Sequence, residues 1–120
     1  MTYELELQNP DVRRHLGDLF VDLVDQILRL RRLEIFDCSP EAVFARLLEE
    51  AEEYNQALDD DMTMDEAGDV LAMAAHLALV ASGGDHPGEA LCGVLDKLQR
   101  RLDAVEHMGL TWAQAKEAVG

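Results

Sequence analysis

The sequence predicts an all-α protein, an antiparallel four-helix-type bundle with a short fifth helix. Apolar residues recur every three or four positions in four long segments, which is the spacing of one face of a helix. Capping residues mark where these segments begin, and no segment shows convincing alternation of the kind that is typical of a strand. We expect the whole chain, 1–120, to form a single domain, because its length suits one hydrophobic core.

The N-terminal part of the chain is predicted to hold an arm and the first helix. Apolar residues alternate weakly in residues 1–9, so this segment is predicted to be an extended arm. Asn9 followed by Pro10 is typical of an N-cap and a first helical position. Apolar residues then continue at helical spacing to about Leu33, which predicts a first helix with a broad apolar face.

The middle of the chain is predicted to hold two helices joined by a short turn. The Ser-Pro pair at 39–40 indicates the start of the second helix, which is expected to run to about Leu58. Thr63 with Glu66 three residues later matches a capping box and is predicted to open the third helix. That helix should continue to Ala81, where a Gly-containing stretch ends it.

The last part of the chain is predicted to hold a long helix and a short one. The fourth helix is expected to begin in residues 85–87 and to end at Gly109. Thr111 and Gln114 match a second capping box, which predicts a final helix over 112–119. The apolar stripes of the four long helices are wide enough to need burial on more than one side, so self-association is plausible.

The charge of the chain excludes several classes of partner. Twenty-five acidic and ten basic residues give a net charge of −15, which repels nucleic acids and anionic membranes.

The two cysteines have no paired spacing, which argues against a disulfide framework or a zinc site. The chain has no signal peptide pattern and no apolar stretch near the roughly 20 residues that cross a bilayer. We therefore expect a cytoplasmic protein.

Acidic residues lie on the apolar stripe of the predicted third helix, where charged groups are unfavourable. Glu66 and Asp69 share this face, and ionised groups that point toward a core need a neutralising partner such as a divalent cation. Glu50 and Glu53 repeat the same three-residue spacing on the second helix. If the two helices pack antiparallel across the segment 54–65, these carboxylates converge, and their hard oxygen ligands suit Mg²⁺ or Mn²⁺.

Each acidic residue also has a purely structural interpretation. Glu66 fits the third helical position of the capping box, and the glutamates of the second helix could be the solvated face of a very acidic protein. Asp69 fits this interpretation least, because aspartate has poor propensity in the middle of a helix and has no cap to make there. The two equally spaced pairs together favour a metal site.

A small basic cluster lies on the predicted fourth helix. Lys97 and Arg101 are one turn apart at the edge of its apolar stripe, with Arg100 beside them. They are candidates for binding phosphate oxygens. The alternative is that these cations interact with the helix C-terminus and with an acidic surface.

These motifs together resemble a known enzyme family. Glu-Glu-x-x-Glu at 49–53 followed by Glu-x-x-Asp at 66–69 resembles the signature of the MazG-like all-α nucleoside triphosphate pyrophosphohydrolase superfamily. That superfamily includes all-α dimeric dUTPases and phosphoribosyl-ATP pyrophosphohydrolases. The segment 97–102 is similar to the family's Lys-Phe-x-Arg-Arg-Phe stretch. The resemblance covers roughly residues 20–110.

The resemblance implies hydrolysis of a nucleoside triphosphate, (d)NTP, between its α- and β-phosphates, which gives a monophosphate and pyrophosphate. In that interpretation Mg²⁺, or Mn²⁺, is held by Glu50, Glu53, Glu66 and Asp69. Glu49 would orient or deprotonate the attacking water, and the substrate's phosphates would meet Lys97, Arg100 and Arg101. A homodimer or homotetramer is also implied. A narrower alternative is a dUTP or dGTP pyrophosphatase or a phosphoribosyl-ATP pyrophosphohydrolase, and one of another class is a non-catalytic helical interaction protein.

Overall fold

The structure is a computed structural model that describes residues 3–57, 62–83 and 87–120. These residues contain helices and no strand, which confirms the all-α prediction. In chain order the helices are α1 (Tyr3–Gln8), α2 (Pro10–Arg32), α3 (Pro40–Gln56), α4 (Thr63–Ala81), α5 (Pro87–Met108) and α6 (Trp112–Ala118). The predicted helix end at Leu58 and the predicted helix start at residues 85–86 lie outside the described residues.

Side-chain caps begin α2 and α3 where the sequence predicts them. The Asn9 side chain accepts a hydrogen bond from the backbone N–H of Asp11 at 2.9 Å, and the Ser39 hydroxyl accepts one from Ala42 at 3.3 Å. A proline follows each cap, and its fixed φ suits the first helical position. These bonds satisfy backbone donors that have no partner within the helix.

The end of α5 and the start of α6 also follow the prediction. Gly109 has a φ of 69°, a left-handed conformation that terminates α5 and that a residue with a Cβ adopts less readily. The capping box of α6 is complete. The backbone N–H of Thr111 donates to the Gln114 side chain at 2.9 Å, and the N–H of Gln114 donates to the Thr111 hydroxyl at 3.2 Å.

The predicted extended arm is wrong over residues 3–8, which form the helix α1, and residues 1 and 2 lie outside the described residues. Weak alternation favours a strand only where a neighbouring strand can pair with its backbone. The described chain offers no such neighbour, so the backbone groups of this segment bond locally instead. The helix α1 packs on α2, and the backbone N–H of Asn9 bonds to the carbonyl of Glu6 at 3.1 Å where the two helices meet.

The predicted N-cap role of Thr63 is also wrong, although α4 begins near it. The N-cap of α4 is Met62, which makes no side-chain capping bond, and Thr63 is the first helical residue. The Thr63 hydroxyl donates to the carbonyl of Ala57, the residue that caps the C-terminus of α3. The threonine therefore ties the end of α3 to the start of α4.

The helices α3 and α4 form the most extensive contact between elements of the described chain. Because only the segment 57–62 connects them, they form a hairpin and run in opposite directions. The helix α4 also contacts α2 and α5, and α5 contacts α6. The fully buried side chains are centred on this hairpin, and the largest of them are Val43 of α3 with His76 and Leu79 of α4.

Much apolar surface stays exposed outside the hairpin. The radius of gyration is 17.0 Å, whereas a compact domain of this length has about 14 Å. Several large apolar side chains of α2 and α5 are more than a third exposed, among them Val21 at 63% and Leu95 at 56%. No helix of the described residues is long and apolar enough to cross a membrane.

Candidate metal centre

Three glutamates from α3 and α4 meet across the hairpin. Glu50 and Glu53 lie about one turn apart on α3, and Glu66 lies in the first turn of α4. Each offers one carboxylate oxygen, and these oxygens all lie within 4.8 Å of one another. We call these three residues the carboxylate cluster. The prediction that acidic residues of the two helices converge is therefore realised for Glu50, Glu53 and Glu66.

Glu50 is the member of the carboxylate cluster whose carboxyl group has a raised pKa. Its side chain is half-buried, and its Oε2 atom is closed to solvent and has no hydrogen-bond partner among the described residues. Burial raises the pKa of the Glu50 carboxyl above its ordinary value of 4.5, and the neighbouring Glu53 raises it further. The charges of Asp69 and Glu66 add smaller effects in the same direction. An ionised Glu50 therefore lacks a positive partner.

The donor set of the carboxylate cluster fits a hard divalent cation. Two oxygens on opposite sides of Mg²⁺ are about 4.2 Å apart, because each Mg–O bond is about 2.1 Å long. The cluster oxygens lie within 4.8 Å of one another, slightly wider than this limit, so small side-chain movements would bring them around one ion. All the donors are carboxylate oxygens, which favour Mg²⁺ or Mn²⁺ over zinc or copper. The unpartnered Oε2 of Glu50 is an acceptor that such an ion would satisfy.

The other two acidic residues predicted for this site lie at its edge. Asp69 is exposed and is not one of the three residues with closely spaced oxygens, but its charge is near enough to raise the pKa of Glu50. Glu49 is exposed and precedes Glu50 by one position, which places it about 100° further around α3. Both are exposed, and neither contributes an oxygen to the carboxylate cluster as the structure places it.

The three basic residues predicted to bind phosphate lie on α5, which packs on α4 and α6. Lys97 is half-buried. The Arg100 guanidinium makes an exposed ion pair with Asp96 at 3.1 Å. The Nε of Arg101 donates to the carbonyl of Val119 at 3.0 Å, which ties α5 to the C-terminal end of α6. Two of the three are thus engaged within their own part of the fold.

Sequence reasoning missed three nitrogen-bearing side chains near the hairpin. Arg31, Arg46 and His76 lie on α2, α3 and α4, and each has a nitrogen that is closed to solvent without a hydrogen-bond partner in the described chain. The helical spacing could have indicated two of them, because Arg46 precedes Glu50 by one helical turn and His76 follows Asp69 by two turns. Nothing in the sequence indicates that Arg31 joins them, since α2 is distant along the chain.

An apolar groove lies apart from these charged residues, where α2, α4 and α5 meet. Its volume is about 370 Å³, and Phe20, Leu71 and Leu91 are among the residues that line it. Its lining is almost entirely aliphatic and aromatic, so it offers no group that could carry acid, base or metal chemistry.

No protein-family model, curated protein or solved structure matches the chain.

Proposed function

We propose that this protein is a Mg²⁺-dependent nucleoside triphosphate pyrophosphohydrolase. It would cleave a (d)NTP between the α- and β-phosphates and release a monophosphate and pyrophosphate. The observation that carries the proposal is the carboxylate cluster, in which Glu50 holds a buried oxygen with no partner and a raised pKa. A cluster built to hold a cation explains why three carboxylates face one another in a protein of net charge −15. The motif spacing described above supports the same conclusion.

The residues of the hairpin divide the chemistry between them. The oxygen of a water molecule bonds to one of the two phosphorus atoms, the bond from that phosphorus to the bridging oxygen breaks, and the bridging oxygen leaves with the other phosphate. Bound Mg²⁺ would supply charge neutralisation and polarisation of the phosphates. Glu50, Glu53 and Glu66 would hold the ion, with Asp69 turning inward to join them. Glu49 is exposed and precedes Glu50 in the chain, and it would orient the water and accept its proton.

A nucleotide panel tests this function directly. We expect monophosphate and pyrophosphate to form in equal amounts from at least one canonical or modified triphosphate, and EDTA to stop the reaction. Anion-exchange chromatography of the products measures both. Asp69→Asn should lower the rate strongly, whereas Asp65→Asn, on the same helix and with the same loss of charge, should leave it near the unmodified rate. A panel with no turnover in Mg²⁺ or Mn²⁺ contradicts the proposal.

The same panel separates the narrower enzymatic alternatives. A dUTP or dGTP pyrophosphatase would show a much higher kcat/KM for one deoxynucleotide, because a base-specific pocket discriminates at the transition state. A phosphoribosyl-ATP pyrophosphohydrolase would leave the simple triphosphates intact and cleave the substituted nucleotide. The ratio of kcat/KM values across the panel decides among the three.

A second candidate function is that of a non-catalytic helical interaction protein. The exposed apolar side chains of α2 and α5 favour it, because monomers rarely expose such surfaces without a partner. In that case neither EDTA nor Asp69→Asn would change any activity or the thermal stability.

We infer that the exposed apolar surface is covered by further copies of the chain in a homodimer or homotetramer. We expect sedimentation to give a mass that is a multiple of the chain's 13.4 kDa. Phe20→Asp, which places a charge in the groove of α2, α4 and α5, should weaken association at least tenfold. Met64→Asp, which adds the same charge at an exposed site in the first turn of α4, outside the apolar surface of α2 and α5, is the matched control. A monomer at all concentrations would contradict this inference.

A further inference from the structure

Two helices that pack against α4, and α4 itself, each hold a buried nitrogen atom without a hydrogen-bond partner in the described chain. The Nη1 of Arg31 from the end of α2, the Nε of Arg46 from α3 and the Nε2 of His76 from α4 are all closed to solvent. None has a hydrogen-bond partner among the residues that the structure describes. Buried donors are almost always paired in folded proteins, so three orphans together need an explanation.

Both arginines lie on helices that pack against α4, and both act electrostatically on His76. Burial lowers the pKa of His76, and the charges of Arg31 and Arg46 lower it further. His76 is 1% exposed, whereas the two arginines are half-buried, so the group has an inner residue and two outer ones. An anion that joins two arginines beside a buried imidazole would offset the repulsion between their charges.

The surroundings hold Arg46 in place without satisfying its Nε. Its Nη2 donates to the backbone carbonyl of Asp37 at 2.8 Å, and its guanidinium lies 5.3 Å from the centre of the Phe36 ring. The Asp37 carboxylate is the nearby negative charge, but it accepts a hydrogen bond from the backbone N–H of Ser39 at 2.9 Å. One face of the guanidinium is therefore fixed while its Nε still lacks an acceptor.

We propose that Arg31, Arg46 and His76 form a binding site for a phosphate-class oxyanion, which supplies the acceptors that their three nitrogens lack. A tetrahedral phosphate presents several charged oxygens, so it can accept from donors that arrive from three different helices. Chloride presents no such directional set of acceptors. The half-buried arginines form the open side of this site, and His76 is its inner wall.

The location of this site connects it with the carboxylate cluster. Arg46 lies one helical turn from Glu50 on α3, about 6 Å along the helix axis. A polyphosphate chain held by a cation at the carboxylate cluster could extend one phosphate to Arg46. This extension rests on the proposed function, whereas the oxyanion site itself does not, because free phosphate or pyrophosphate has the same chemistry.

Calorimetry with inorganic pyrophosphate in EDTA tests the site without metal or turnover. We expect the unmodified protein to bind, and Arg31→Gln to raise the Kd at least tenfold. Arg32→Gln is the matched control, because it removes the same charge from the exposed neighbouring position and should change the Kd less than twofold. No binding by the unmodified protein, or equal losses in the two variants, would overturn the proposal.

A measurement on the unmodified protein covers the case in which Arg31→Gln does not fold. In an NMR titration that follows the histidine side chains, pyrophosphate should shift the ring nitrogen resonances of His76. The variant His76→Gln, which lacks these resonances, assigns them. The resonances of exposed His15 and His107 should move much less. A His76 ring that is unchanged at saturating pyrophosphate would overturn the site.

A third arm identifies the source of the oxyanion. With Mg²⁺ and a non-hydrolysable triphosphate, weaker binding by Arg31→Gln than by Arg32→Gln would assign the site to the substrate's phosphates. An effect on pyrophosphate or phosphate alone would assign it to a free oxyanion. A protein that binds pyrophosphate here but hydrolyses no nucleotide would keep this site and lose the proposed function. If the protein hydrolyses nucleotides but Arg31→Gln leaves its binding of pyrophosphate unchanged, the proposed function is kept and this site is lost.

Discussion

Replacing Glu50 by glutamine is expected to lower kcat/KM for nucleotide hydrolysis by roughly 10³-fold, equivalent to about 4 kcal/mol of transition-state stabilisation. Glu50 combines a buried carboxylate oxygen that has no hydrogen-bond partner among the described residues with a raised pKa, so it should make a firm contact with the ion. An amide at this position keeps the shape of the side chain but removes the charge. Pyrophosphate release under saturating Mg²⁺ measures the effect.

The same substitution should stabilise the metal-free protein at neutral pH. The folded state raises the pKa of Glu50, so this group's stabilising contribution is fully present below about pH 4.5. That contribution is lost as the pH rises through the higher folded-state pKa, because the folded protein then holds an unfavourable charge. In EDTA, Glu50→Gln should therefore melt above the unmodified protein at pH 7.5 and close to it at pH 4.

With Mg²⁺ present at pH 7.5, the unmodified protein should melt above Glu50→Gln, which is the reverse of the order expected in EDTA. A ligand at 100 times its Kd stabilises the folded state by about 2.7 kcal/mol, and Glu50→Gln should lose most of this gain. Glu52→Gln is the matched control, because Glu52 is exposed on the same helix and bonds to Gln56 at 3.4 Å. If Glu50→Gln were less stable than the unmodified protein at both pH values in EDTA, the carboxylate cluster would be a structural network instead of an ion site.

Truncating Leu79 to alanine is expected to be the most destabilising of the substitutions proposed for this chain. Leu79 is 1% exposed on α4 and is the largest fully buried apolar side chain of the described residues. Removing its buried atoms leaves a cavity, and such changes cost about 2–5 kcal/mol. For a domain of this size the midpoint of thermal unfolding should fall by about 10–20 °C.

Met64 provides the matched control for Leu79. It lies on the same helix, has a similar volume and is 84% exposed, so Met64→Ala should change the free energy of unfolding by less than about 0.5 kcal/mol. Circular dichroism at several temperatures measures both variants. Equal losses in the two would mean that the core of the protein does not lie where α3 packs against α4.

The helix boundaries could be predicted because their causes are local. The caps at Asn9, Ser39 and Thr111 need only the next two or three residues to make their hydrogen bonds, and each bond is present. The two wrong predictions depended on partners elsewhere in the fold. Residues 3–8 have no neighbouring strand to pair with, and the Thr63 hydroxyl is engaged by the carbonyl of Ala57 at the end of α3.

The candidate site could be predicted in part for the same reason. Periodicity placed Glu66 and Asp69 on one stripe of α4, but burial separates them, because Glu66 is half-buried while Asp69 is exposed. The convergence of Glu50 and Glu53 with Glu66 followed from a short connection between two helices. The approach of Arg31 to His76 depends on how α2 rests on α4, which no local pattern encodes.

We expect the hairpin of α3 and α4 to form early when the protein folds. Its two helices are adjacent in sequence, so joining them closes a short loop and loses little chain entropy. The helices α2 and α5 would then dock on a surface of α4 that the hairpin has already ordered. A cation bound between the carboxylates would in that case raise the rate of folding as well as the stability of the folded protein.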